Sequence, residues 1–281
     1  MNQSTLSKHI QALERELEAP LFRRSTRVVE LTDYGQTFLP YAQSIVRTQF
    51  EYTSALRRLR DSREASFVLD CVPTLAQYGF ADLLLAFRKA YPDCAVKVEE
   101  NDPYDAIRRI QQRQCDLALC WDQPTPAGVV ECIPFTSDRL VAVVARDHPL
   151  AVRGTIPLRE LREELLCLPR SGTYLYDLCR KSCQEAGFVP YVVCDSDRLE
   201  NILNVVADGR HTALFMAETV EYVRRRTTSA LTGYEILDLT PEIRADLSLY
   251  RLRDGPLSPA AGRFLDFFRS WITAGGRPDA G

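Results

Sequence analysis

The chain has 281 residues, 46% of them apolar and 26% charged, proportions that exclude a disordered polymer and leave room for two compact domains. Its net charge of −3 excludes a general polyanion binder, so any nucleic-acid contact must be local. No apolar run is long enough to span a bilayer and the N-terminus is polar rather than signal-like, so no membrane partner and a cytoplasmic location are expected. Residues 1–65 hold ten basic side chains against eight acids, a balance of +2 that leaves −5 for the rest. The candidate nucleic-acid surface therefore lies at the N-terminal end.

In chain order, Leu6, Ile10, Leu13 and Leu17 recur at helical spacing and predict a helix from about Ser4 to Leu17. Its opposite face carries Gln3, Thr5, Lys8 and Gln11. Pro20 ends it, and Leu21 and Phe22 are expected to return beside it. Arg23, Arg24, Ser25, Thr26 and Arg27 come next, then Val28–Leu31 as a short strand or wing. Thr32 suits an N-cap, with Asp33 in the first turn. From Thr32 to Arg63 the only proline is Pro40 and the only glycine Gly35, so one long helix is expected. Phe38, Ile45, Tyr52 and Leu59 stand seven apart, with Tyr41, Ala42 and Leu56 beside them. That repeat fits a seam between two chains better than packing on its own domain, because nothing nearby in sequence could cover so long a stripe.

After Arg63 strands and helices alternate: strand Phe67–Val72, helix Leu75–Tyr91, strand Ala95–Glu99, helix Tyr104–Arg113 and strand Asp116–Cys120. Two strands, Val129–Phe135 and Leu140–Ala145, come next. The alternation then restarts with strand Leu165–Leu168, helix Tyr174–Ala186, strand Tyr191–Cys194, helix Arg198–Asp208 and strand Thr212–Phe215. Such alternation builds parallel sheets with crossover helices, here as two α/β lobes. A final helix, Ser258–Ile272, is too apolar to stay exposed, and the tail 274–281 is expected to be disordered. The nine cysteines include no CxxC pair of metal spacing, so no metal site is expected. In a reducing compartment they read as small buried hydrophobes. Cys179 and Cys183 share one helix face, which favours packing, with a thiol switch as the alternative.

The segment "QSTLSKHIQALERELEAPLFRRSTRVVELTDYG" is similar to the recognition helix, wing and linker start of LysR-type transcriptional regulators. "PTLAQYGFADLLLAFRKAYPD" and "CDLALCWDQP" resemble the opening of that family's effector domain. "HPLA" (148–151), "EAGFVP" (185–190) and "LSPAAGRFLDFFR" (257–269) stand in the expected order. The resemblance implies an α/β chain with three parts: a truncated winged helix-turn-helix (1–31), a linker and dimerisation helix (32–63), and an effector domain (64–281). The effector domain would have a two-lobed, periplasmic-binding-protein-like fold, with lobe I at about 66–144 plus 250–273 and lobe II at about 145–249. The family usually has two helices before the reading helix, whereas this sequence starts at the turn. An internal or misplaced start is the first expectation, ahead of a shortened chain or a regulator degraded at its DNA end.

The assignment of DNA-reading residues rests on that resemblance, since composition alone would favour a solvated basic turn. Gln3, Ser4, Thr5, Ser7 and Lys8 are placed to reach base edges from a helix in the major groove. Arg23, Arg24, Ser25, Thr26 and Arg27 suit phosphate contacts, which give affinity without sequence information. In the effector domain, ligands bind where the carboxyl ends of strands face a cleft. Pro73, Thr74 and Leu75 stand at one such strand-to-helix turn, Ser171 and Thr173 at its counterpart in the second lobe. Asn101, Trp121, Ser196, Asp197, Phe215 and Met216 occupy further strand ends. For Thr74 a plain helix cap and a ligand contact are equally open, and Trp121 reads first as packing. A small polar or anionic effector is expected. The resemblance implies promoter DNA, given a full winged helix-turn-helix, a homodimer or homotetramer, and RNA polymerase as partners.

An enzyme with a cysteine nucleophile would need a histidine base, and of the three histidines only His211 is a candidate. No G-x-S-x-G, phosphate-cradling glycine loop or HExxH occurs, so neither catalysis nor a cofactor is expected. The alternatives are an effector-binding protein of the same fold that has lost specific DNA binding, or a solute-binding protein. The latter would need a signal peptide and would leave residues 2–63 unexplained.

Overall fold

The computed structural model describes residues 3–24, 29–61, 65–125, 128–196, 198–226 and 233–275. They form two compact units, Met1–Arg57 and Arg58–Gly281.

The first unit opens with helix α1 (Gln3–Glu16), close to the expected span. Glu18, at φ 51°, turns the chain back, and the Glu14 carboxylate accepts the backbone N–H groups of Leu21 (2.8 Å) and Phe22 (3.0 Å). Strands β1 (Phe22–Arg24) and β2 (Val29–Leu31) then form an antiparallel wing in which Phe22 pairs with Leu31. Thr32 caps the next helix as expected, its hydroxyl accepting from Gly35 N–H at 3.0 Å. Gly35 is required by space: a Cβ there would lie 2.1 Å from the Leu21 carbonyl oxygen. Helix α2 (Asp33–Asp61) runs on through Pro40, giving the long helix that the sequence predicts.

The second unit begins with β3 (Ala65–Cys71) and a 3-10 turn, Leu75–Tyr78. Helix α3 (Phe80–Ala90), strand β4 (Cys94–Glu100), helix α4 (Pro103–Gln111) and strand β5 (Leu117–Trp121) come next. The expected single helix Leu75–Tyr91 is broken, because Gly79 takes the left-handed conformation (φ 72°) between the 3-10 turn and α3. The two strands expected at Val129–Phe135 and Leu140–Ala145 are one, β6 (Val130–Ala145). The polar stretch Thr136–Arg139 reads as a turn but is held straight by pairing with Arg244–Leu247.

The second lobe contains β7 (Thr155–Pro157), β8 (Leu165–Pro169), α5 (Tyr174–Glu185), β9 (Tyr191–Ser196), α6 (Leu199–Val206), β10 (His211–Met216), α7 (Ala217–Arg226) and β11 (Tyr234–Thr240). Strand β12 (Arg244–Leu252) returns to the first lobe, and α8 (Pro259–Thr273) closes it. Elements β7, α7, β11 and β12 have no counterpart in the sequence reading. Residues 276–281, most of the tail expected to be disordered, lie outside the described residues.

The strand order is β4-β3-β5-β12-β6-β10-β8-β9, with β11 on β6 and β7 on β11. Strand β6 joins the lobes: Val130–Arg139 pairs with β12, then Leu140–Ala145 pairs with β10 and β11. By pairing, β6 changes partners at Arg139–Leu140, and β12 pairs with β5 and the first part of β6. In the first lobe Phe264 of α8 packs on Phe67 (5.1 Å between ring centres) and edge-on to Phe87 (5.0 Å). In the second, Val141, Val143, Phe215 and Val220 share a core with Leu199, Ile202 and Leu203 of α6.

Candidate effector cleft and DNA-reading segment

The residues expected to line an effector cleft lie at the carboxyl ends of the strands. Thr74 lies half-buried at the turn after β3, where it precedes the 3-10 turn without making a side-chain cap, and Pro73 beside it is exposed. Asn101, after β4, donates its amide to the buried Asp70 carboxylate at 2.7 Å. Asp70 also accepts from Arg109 Nε (2.6 Å), and Arg109 bonds Glu99 as well, so this buried charge is paired and ties α4 to the sheet. In the second lobe, the Ser171 backbone N–H donates to Asp195 at 2.8 Å and holds that carboxyl below the ordinary aspartate range. Thr173 caps α5, accepting from Tyr176 N–H at 3.4 Å, and Ser196 accepts from Arg198 N–H at 3.1 Å. Asp197 lies outside the described residues.

Four of the expected contact residues face inward instead. Leu75, Trp121, Phe215 and Met216 are all buried, with Trp121 edge-on to Tyr78 at 5.5 Å. They pack within the hydrophobic cores. Their strand ends are apolar because they complete the sheet cores, a distinction that position along a strand does not reveal.

Other residues that bridge the lobes are absent from the sequence reading. The Asp102 carboxylate accepts Tyr104 N–H at the start of α4 (3.0 Å) and Tyr174 N–H at the start of α5 (3.1 Å). Burial pushes this carboxyl up, against the pull of the two amides. The Tyr104 hydroxyl donates to Asp177 at 3.1 Å, and the Tyr104 and Tyr174 rings meet edge to face at 6.1 Å. Burial pushes both phenols up to about 12. Nearer the crossing strands, Tyr78 donates to Asp138 (2.7 Å), which also accepts Glu218 N–H at the start of α7 (3.1 Å). Asp102 before Pro103 carries the sequence signal of a helix cap, one missed in the sequence reading, and its second partner lies 72 residues away. With Asp102, Asp105 and Asp177 gathered at this mouth, it suits a hydrogen-bond donor better than an anion.

In the first unit, the backbones of Gln3, Ser4 and Thr5 form the first turn of α1, while their side chains lie outside the described residues. Ser7 is half-buried, and Lys8 and Arg23 are exposed. Arg24 is described by its backbone in β1, and Ser25, Thr26 and Arg27 lie outside the described residues. Along α1, Leu6 and Leu17 stay 47% and 39% exposed. On α2, Ile45 and Tyr52 are 61% and 53% exposed and Phe38 is half-buried; the side chain of Leu59 lies outside the described residues.

Comparison with known families decides the identity. A profile described as the LysR substrate binding domain matches residues 60–273, and one described as a bacterial regulatory helix-turn-helix protein of the lysR family matches residues 1–36. The chain belongs to the LysR family of transcriptional regulators. It is similar to the transcriptional dual regulator GltC of Bacillus subtilis, with 25% identity over 264 residues covering 94% of this chain and 86% of GltC. Among solved structures, a full-length OxyR variant from Pseudomonas aeruginosa aligns with a TM-score of 0.61 at 21% identity, covering 96% of this chain and 91% of that one. Full-length CbnR complexed with its target DNA gives 0.59 at 19% identity, covering 96% and 90%. The regulatory domain of Synechocystis CcmR in complex with 2-PG gives 0.63 at 21% identity, covering 73% and 96%. These likenesses support a LysR-type fold with a two-lobed effector domain.

Within this LysR-family chain, no group of His, Cys, Asp and Glu among the described residues is placed to hold a metal. Likewise, no described helix is long and apolar enough to cross a membrane. His148 is buried, its Nδ1 accepting from Leu150 N–H at 3.2 Å and its Nε2 3.3 Å from Glu164; His211 bonds Asp208 at 2.7 Å. Cys179 and Cys183 sit in the core, as packing requires, and burial raises both thiols.

Proposed function

We propose that this LysR-type regulator binds promoter DNA through α1 and the wing, pairs through α2, and senses a small polar metabolite between its two lobes. Its parts are then residues 1–31 for DNA reading, 32–63 for pairing and 64–281 for sensing. The observation that supports the sensing role is a pair of polar strand-to-helix turns, Thr74 in one lobe and Ser171–Thr173 in the other, on sheets joined by a single continuous strand. CcmR with 2-PG and CbnR with DNA support the two binding roles by likeness. We read the protein as cytoplasmic and not an enzyme, in keeping with its likeness to LysR-family regulators.

A ligand that binds only the folded protein raises its melting temperature by mass action. Screening small polar metabolites by thermal shift should find one whose effect Thr74→Ala, Ser171→Ala and Thr173→Ala each weaken. If a true ligand is found and all three variants bind it normally, the cleft is misplaced. In DNA titrations, Gln3→Ala should relax sequence preference, while Arg24→Ala should weaken all sequences alike.

A further inference from the structure

We infer that Asp102 is an inter-lobe latch: one carboxylate caps α4 of the first lobe and the first turn of α5 of the second, and so holds the mouth of the cleft shut. A plain helix cap would serve α4 alone. Here Oδ1 accepts Tyr104 N–H within its own lobe while Oδ2 accepts Tyr174 N–H across the cleft. Helix α4 packs on β5 and β12 of the first lobe, and α5 packs on β8 of the second, so the two bonds join bodies that are also linked through β6 with the strands beside it and, at the 3-10 turn, by Thr219 of α7 donating to Gln77 at 2.7 Å.

The electrostatics favour this shared position. The first turns of both helices present N–H groups with no partner inside the helix, and both helix dipoles put positive charge there. A carboxylate has lone pairs for both. Thr173 already serves Tyr176 N–H in α5, so Asp102 takes the amide that this cap leaves open. The Tyr104 hydroxyl on Asp177 is a second clasp alongside the first, and the Tyr104–Tyr174 ring contact fills the space between them.

A latch of this kind sets how often the cleft is open, and a ligand that needs the open form binds more weakly by the fraction of time it is shut. That consequence rests on reading the cleft as the effector site. The latch itself does not, so it is tested without any effector.

The test is a distance measurement on the whole protein. Spin-labelled non-natural residues replace Arg108 on α4 and Lys181 on α5, both exposed. Dilution with unlabelled protein leaves only within-chain distances. The unmodified latch should give one narrow distance distribution. Asp102→Ala should shift it to longer values and broaden it. Asp102→Asn should do the same to a smaller extent, because its single acceptor oxygen serves one helix well. Tyr104→Phe, which keeps the ring and loses the bond to Asp177, should broaden without a full shift. Asp266→Asn, which touches only an exposed pair with Arg269 on α8, should change nothing. If Asp102→Ala does not fold, Asp102→Asn and Tyr104→Phe carry the test. Distributions in those variants that match the parent would overturn the proposal and assign the closed mouth to the crossing strands and the contacts of Gln77 and Tyr78 with α7 and Asp138.

Discussion

The second unit closes its core over both lobes, from Phe67 on β3 to Phe268 on α8, whereas Leu21 and Gly35 are the only buried residues among those described in the first. Leu6, Leu39, Ile45, Val46, Tyr52 and Leu56 remain exposed there. At about 25 cal/mol per Å² of buried apolar surface, a unit that hides so little lacks the main term that stabilises folded chains. The contrast separates two kinds of stability. The effector domain carries its own, while the DNA-reading unit is expected to gain its stability by association, which would couple pairing to DNA binding.

The sharpest way to break this contrast is to damage each side and see what else fails. Phe264→Ala, which empties the aromatic centre of the first lobe, should cost the second unit about 4 kcal/mol in denaturant unfolding and leave pairing intact. Loss of the dimer in that variant would mean that the units are not independent. Tyr52→Glu places a charge in the proposed seam and should weaken pairing by about 3 kcal/mol, seen in sedimentation as a shift towards monomer. A parent protein that is strictly monomeric at micromolar concentration would remove the seam altogether.

Gly35→Ala drives a methyl group into the Leu21 carbonyl and should destabilise the first unit by about 2 kcal/mol, visible as faster amide exchange across the wing. Unchanged exchange there would show that the close approach is not needed. Thr32→Ala removes the cap of α2 at about 1 kcal/mol, confined to that helix start. An effect on the second unit's melting would again break the separation.

Where order is local, the residues announce it. The stripe of α1, the Thr32 cap and the unbroken run of α2 arise from spacing and turn chemistry within a few residues. Order made by distant partners is hidden. Thr136–Arg139 carries a turn-like sequence yet stays extended, because Arg244–Leu247 pairs with it from far along the chain. Trp121 and Met216 stand at strand ends like ligand residues, but the three-dimensional core claims them. Asp102 is legible as a cap to Tyr104, while its bond to Tyr174 depends on how the lobes face each other.

The proposed coupling of pairing to DNA reading is tested most directly by a mobility-shift titration on the region upstream of the gene, using protein expressed from its own locus. Binding should be specific and fall steeply with added salt as phosphate contacts release counterions. It should be lost with Tyr52→Glu and kept with Thr74→Ala, which lies in the proposed effector cleft of the second unit. Tight, specific binding by a monomeric Tyr52→Glu protein would contradict the claim that association completes the DNA-reading unit.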